Sequence, residues 1–80
     1  MRLDKYLKVS RIIKRRTIAN DACDARRILV NSKPARASYK VKVGDIITVT
    51  LGSADHEYEV LKIVESVKKE EADNLYKQIK

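Results

Sequence analysis

The chain contains no tryptophan and no phenylalanine, so Leu, Ile, Val and its 4 tyrosines must fill the interior. A single cysteine, Cys23, excludes an internal disulfide and any multi-cysteine zinc site. A disulfide-free chain of 80 residues fits a reducing compartment, and a cytoplasmic location is expected. No apolar run approaches the length of a membrane span, and no hydrophobic signal core follows Met1, so no membrane partner is expected. The only two glycines, Gly44 and Gly52, both sit in turn-like contexts, which leaves no glycine-rich phosphate loop. His56 is the only histidine and has no cysteine near it in sequence, a poor metal ligand or general base. The carboxylates Glu57, Glu59, Glu65, Glu70 and Glu71 belong to element surfaces and form no acid–base pair. No catalytic residue, metal site or cofactor is therefore expected, and a chain of this size has little room for a deep substrate pocket.

What is abundant is positive charge, and it is unevenly placed. The net charge is +7. Residues 1–40 hold 12 Lys+Arg against 3 acids, whereas residues 41–80 hold 6 against 8. A one-sided cationic surface is the footprint of a polyanion binder. Its densest part is Arg11-Ile12-Ile13-Lys14-Arg15-Arg16, with four cations in six residues and no acid. A flexible basic tail has no use for two isoleucines, so this stretch reads as a part-buried element with a charged outside.

Apolar spacing organises the rest. Leu3, Tyr6 and Leu7 recur at i, i+3 and i+4, which predicts a helix from Arg2 to Val9. Ser10-Arg11 breaks it, and a second helix is expected from about Arg15 to Ala25, with Ile18, Ala22 and Ala25 on its buried stripe and Ala19 and Cys23 flanking. Ile28-Leu29-Val30, then Asn31-Ser32-Lys33, predict a strand and a tight turn into a weak edge at Pro34-Ala35-Arg36. Lys40 to Val43 alternates like a strand, Gly44-Asp45 turns, and Ile46 to Leu51 is the strongest strand pattern. A loop over Gly52 to Asp55 leads to a returning strand over Glu57 to Val64. A last helix is expected from Ser66, with Ala72, Leu75, Tyr76 and Ile79 on one stripe. The predicted order is ααββββα in a single α+β domain.

Taken together, Arg2-Leu3-Asp4-Lys5-Tyr6-Leu7, the basic turn ending Lys14-Arg15-Arg16, Ile28 to Lys33 and Val43-Gly44-Asp45-Ile46-Ile47 resemble the S4 RNA-binding domain. The likeness covers residues 1–51; residues 52–80 would complete the same domain with a strand and the C-terminal helix. Within that superfamily the chain looks like the small stand-alone S4 proteins of bacterial ribosome quality control (the RqcP type), relatives of the heat-shock S4 protein. The resemblance implies an S4-like (alpha-L) fold, with two N-terminal helices packed on a small antiparallel sheet. It further implies binding to large ribosomal subunit RNA and to tRNA in the peptidyl site. The family supports C-terminal tailing of stalled nascent chains beside a tRNA-recruiting quality-control partner protein, and a monomer is expected. The S4 pattern has glycine where this chain has Arg26 and Ser32. A non-glycine residue at positive φ costs about 1 kcal/mol, so those two turns either change or retain the strain.

The candidate RNA-binding residues are Arg2, Asp4, Lys5, Arg11, Lys14, Arg15 and Arg16. Guanidinium is planar, always charged and able to hold a phosphate through two parallel hydrogen bonds. Folded RNA offers phosphates and 2′-hydroxyls at fixed positions, so recognition by shape is expected over base readout. Against this stands the bland reading of a solvated charged face. Asp4 is equally a helix-start carboxylate or an orienting partner for an arginine. Tyr6 fits core packing, and Tyr39 is the better candidate for stacking on a base. Three other functions fit the same residues: a DNA-binding helix–turn–helix regulator, a heat-shock-type factor that rescues large subunits, and, from the resemblance, the targeting domain of an enzyme whose catalytic half would be a separate partner.

Overall fold

The computed structural model describes residues 1–65, 68 and 74–80. Two short helices, α1 (Leu3–Val9) and α2 (Arg16–Asp24), precede five strands: β1 (Ile28–Val30), β2 (Lys33–Pro34), β3 (Ile46–Leu51), β4 (Ala54–Val60) and β5 (Tyr76–Gln78). The strands form one antiparallel sheet in the order β2-β1-β3-β4-β5. The α+β class and the helix pair are as the sequence predicts.

The core lies between α1 and one face of the sheet. Leu3, Tyr6 and Leu7 of α1 are fully buried with Ile28 of β1, Ile47 of β3 and Val60 of β4. Each such side chain contributes about 1.5–3 kcal/mol on leaving water. Helix α2 docks on α1 through Ala19 and Cys23, a buried i, i+4 pair of small residues that permits close approach. Ile18, expected inside, is 54% exposed. The expected stripe of Ile18, Ala22 and Ala25 is therefore rotated by one residue, because the narrow contact with α1 accepts only small side chains.

Two further expectations are corrected. Residues 40–43 do not form a strand; Lys40 makes only an isolated bridge with Arg2. The residues just before this segment, Ala37 and Tyr39, instead cap α1. The amides of Leu3 and Asp4, which have no partner inside the helix, donate to the carbonyls of Tyr39 (2.7 Å) and Ala37 (3.2 Å), and Val41 donates to Met1 (2.9 Å). The expected C-terminal helix is overturned at its end: Tyr76–Gln78 pairs with β4 in the register Val60↔Tyr76 and Tyr58↔Gln78. Most of the remainder of that expected helix, residues 66, 67 and 69–73, lies outside the described residues. The physical cause is tertiary. The Leu75 carbonyl accepts from the buried Tyr6 hydroxyl (2.7 Å) and from the Leu61 amide (2.8 Å), which fixes this segment across the end of β4. Tyr76 then meets Tyr58 edge-on, with ring centroids 5.1 Å apart. The returning strand also starts earlier than expected, at Ala54, and ends at Val60, so His56 lies in β4 and not in a loop.

The two turns that lack the family glycine keep their geometry. Arg26 follows α2 at φ 60, its amide donating to Cys23 and that of Arg27 to Ala22, the closing pattern of a helix that favours glycine. Asn31 and Ser32 join β1 to β2 at φ 52 and φ 71, a turn with both central residues left-handed. The strain at both sites is retained, at about 1 kcal/mol each.

Candidate nucleic-acid interface

The site is built around one buried carboxylate. Asp4, in the first turn of α1, is 2% exposed. Its oxygens accept from the Lys5 amide (2.8 Å), from Nε and Nη2 of Arg2 (both 3.2 Å), from Nη2 of Arg16 (3.4 Å) and from Nδ2 of Asn20 (3.4 Å). Nε of Arg16 is a further 3.3 Å contact. Burial alone would raise the Asp4 pKa. Hydrogen bonds from Arg16, Arg2 and Asn20, with the charge of Arg16, outweigh it and hold the carboxyl below its ordinary value. Both sequence readings of Asp4 hold at once, because one oxygen binds the helix-start amide while the pair orients two arginines.

The orientation is achieved by the fold. Arg2 is the extended residue before α1 and Arg16 is the first residue of α2, so the packing of α1 on α2 brings them together. Each arginine side chain remains about half exposed, at 50% and 47%. A guanidinium carries five N–H groups, and Arg2 uses only Nε and Nη2 on Asp4. N–H groups not used on Asp4 remain on both arginines, whose positions the shared carboxylate restricts.

The linking turn presents the other cations. Arg11 holds φ 63 with its amide on Lys8, while Ile12 and Ile13 pack partly buried against the core, anchored by the Ile13 amide on Leu7. Lys14, Arg15 and Arg16 follow, all exposed. Arg15 and Arg16 stand at the positive end of the α2 dipole, and no acid occupies its first turn. Each such cation costs a helix about 0.3–1 kcal/mol, an expense that a bound anion removes. Helix amides and arginines at one helix end are a combination suited to an anion.

Lys5 does not join the group; its ammonium pairs with the Glu65 carboxylate. Tyr6 is fully buried, as its spacing predicts. Tyr39, the stacking candidate, donates its hydroxyl to Asp45 (2.9 Å) and packs on the core. Asp45 is a second buried carboxylate, which also accepts from the Lys42 amide (2.9 Å) and Asn31 Nδ2 (3.1 Å). Against the effect of burial, these bonds hold its pKa below the ordinary value. Its role is to lock the segment that caps α1. Cys23 is buried, and burial pushes its thiol up to about 11, so it is an inert packing group. Sequence reasoning missed Asn20; the available signal was a weak helix former four residues after Arg16, where it shares a face with it.

The described residues thus combine a helix pair, half-exposed arginines and a small antiparallel sheet, the parts of a compact nucleic-acid-binding module, and among them no helix is long and apolar enough to cross a membrane. The S4 domain model matches residues 1–47. The chain is 49% identical over 80 residues to the RQC P-site tRNA stabilizing factor of Bacillus subtilis (strain 168), covering 100% of this chain and 93% of that one. It is 48% identical over 79 residues to the protein of the same name from Streptococcus pneumoniae, covering 99% and 90%. Among solved structures it resembles the trimeric Heat Shock Protein 15 of Vibrio cholerae, with a TM-score of 0.91, 29% identity, and coverage of 99% and 81%. The chain belongs to the S4-domain family, in the group of the RQC P-site tRNA stabilizing factors.

Proposed function

We propose that this protein is a non-enzymatic RNA-binding factor that docks on the large ribosomal subunit, touching both ribosomal RNA and the tRNA in the peptidyl site. By holding that tRNA in place it supports C-terminal tailing of stalled nascent chains, beside a partner protein that recruits tRNA, in the cytoplasm and as a monomer. The supporting observation is the Asp4 clamp, which holds the half-exposed side chains of Arg2 and Arg16 on one carboxylate. Arginines so held suit phosphates held at fixed spacing, as in folded RNA, and they bind without the entropy loss of ordering two long side chains. Arg11, Lys14 and Arg15 extend the same contact toward the amino end of α2. Lys5 contributes only long-range attraction, since Glu65 already holds it.

Co-sedimentation tests this reading. The protein is expected with large subunits that carry a peptidyl-tRNA, and much less with intact ribosomes. Equal recovery with both particles counts against it. The fit to Heat Shock Protein 15 favours a second reading, a heat-shock-type factor that rescues large subunits; binding of the purified protein to large subunits, together with undiminished tailing in a deletion strain, supports that instead. A DNA-binding regulator is disfavoured by Asp21 and Asp24, which lie exposed on α2 where they would meet a groove. Competition by duplex DNA as strong as that by structured RNA would revive it.

A further inference from the structure

Behind the arginine pair, between the end of α2 and the segment following β2, lies a concavity of about 750 Å³. Three arginines line it: Arg2 from just before α1, Arg26 from the turn after α2, and Arg36 from the loop. Asp24 is the one carboxylate on its lining, so a net positive charge remains. Pro34, Ala35 and Ala37 supply an apolar side. The backbone amides of Arg36 and Ser38 have no acceptor among the described residues. Arg26 occupies φ 60, where glycine is relaxed and arginine strained. Such strain persists where the side chain has a use, and it clusters at ligand-binding positions.

We infer that this concavity is a second RNA-contact site, which takes one unpaired nucleotide with its phosphate on Arg26 and Arg36 and its base over Pro34 and Ala35. A phosphate alone needs no apolar wall, and the volume exceeds what one requires. Single-stranded and bulged nucleotides are the parts of RNA whose base faces are free to lie against a protein. Arg2 borders this site and also contacts Asp4, so one strand can run from Arg16 past Arg2 into the concavity. The inference rests on the RNA-binding reading above and specifies how a strand leaves the first contact.

The test uses Arg26→Gly and Arg36→Ala in the full chain, with Arg16→Glu as the reference for the first site and Lys77→Ala as a control on β5. Arg26→Gly is expected to raise the melting temperature by about 4–8 °C as the backbone relaxes. It should nevertheless weaken binding to purified large subunits about tenfold at 0.1 M salt, with a salt slope smaller by about 0.9. Arg36→Ala should weaken binding similarly. Tetrauridylate should shift the amide resonances of residues 35–38 at concentrations where inorganic phosphate does not. If Arg16→Glu weakens binding while Arg26→Gly and Arg36→Ala stay within twofold of the parent, the second site is wrong and the first stands. If Arg16→Glu also changes nothing, the RNA-binding reading itself fails. Equal shifts from inorganic phosphate would reduce the site to simple anion attraction and overturn the nucleotide assignment.

Discussion

Replacing Asp4 by Asn keeps the shape of the side chain and removes its charge. The carboxylate accepts from five donor groups on Arg2, Lys5, Arg16 and Asn20. Asn offers one acceptor oxygen and an amide that must point toward a guanidinium or toward Asn20. A hydrogen bond from a charged donor contributes about 1.5–3 kcal/mol, and breaking a fully buried ion pair costs about 3–5 kcal/mol. Because both arginine side chains are half exposed, water recovers part of the loss. The expected destabilisation is about 2 kcal/mol, or roughly 8–16 °C in melting temperature for a domain of this size. Binding separates order from charge. Were Arg2 and Arg16 merely long-range attractors, removing a nearby negative charge would tighten RNA binding. If Asp4 fixes their register, Asp4→Asn weakens binding at temperatures where the variant is still folded. Circular dichroism melts and a filter-binding titration read the two effects, and unchanged stability with tighter binding refutes the clamp.

The Asp4 carboxyl is held below its ordinary pKa, so its contribution is present above the unfolded value of about 3.9 and is lost as pH falls through the folded value. Acid melts of the parent should therefore steepen below about pH 4, and those of Asp4→Asn should steepen less; identical profiles would remove Asp4 from the account. Ser32→Gly should stabilise the β1–β2 turn by about 0.5–1 kcal/mol, because φ 71 suits glycine; a loss of stability in urea melts would contradict that turn geometry. Tyr6→Phe leaves the core filled and removes the donor to Leu75, so a loss of about 1 kcal/mol is expected, with faster amide exchange at residues 76–78. Unaltered exchange there would mean that Tyr6 does not secure β5.

Much of the fold was written in local pattern. Leu3, Tyr6 and Leu7 are buried as their spacing predicts, and Ile46–Leu51 pairs on both sides as the strand at the middle of the sheet. The misreadings share a cause, namely contacts between residues far apart in sequence. Residues 40–43 alternate like a strand, yet the unpaired amides of α1 claim the carbonyls just before them. Leu75, Tyr76 and Ile79 have helical spacing, yet Tyr6, 69 residues from Leu75, and the open edge of β4 hold this segment extended, with Tyr76 in β5. Ile18 looks like a core residue, and only the tight α1–α2 contact puts Ala19 and Cys23 inside in its place. At the candidate site, the charge of Arg11 to Arg16 was legible in composition alone. Its organisation was not, since no local pattern says that Arg2, Arg16 and Asn20 meet on one carboxylate, or that Lys5 turns to Glu65.

The central claim is that a fixed arginine group on α1 and α2 grips phosphates of large-subunit RNA. The most direct measurement is the affinity for purified large subunits across a salt series, for the parent and for Arg16→Glu. Five or six phosphate contacts predict a slope of log affinity against log salt of about −3 to −5, and the substitution should lower both the affinity and the steepness of that slope, by about one unit. A parent affinity that barely responds to salt, or an Arg16→Glu series that overlays it, would contradict the claim.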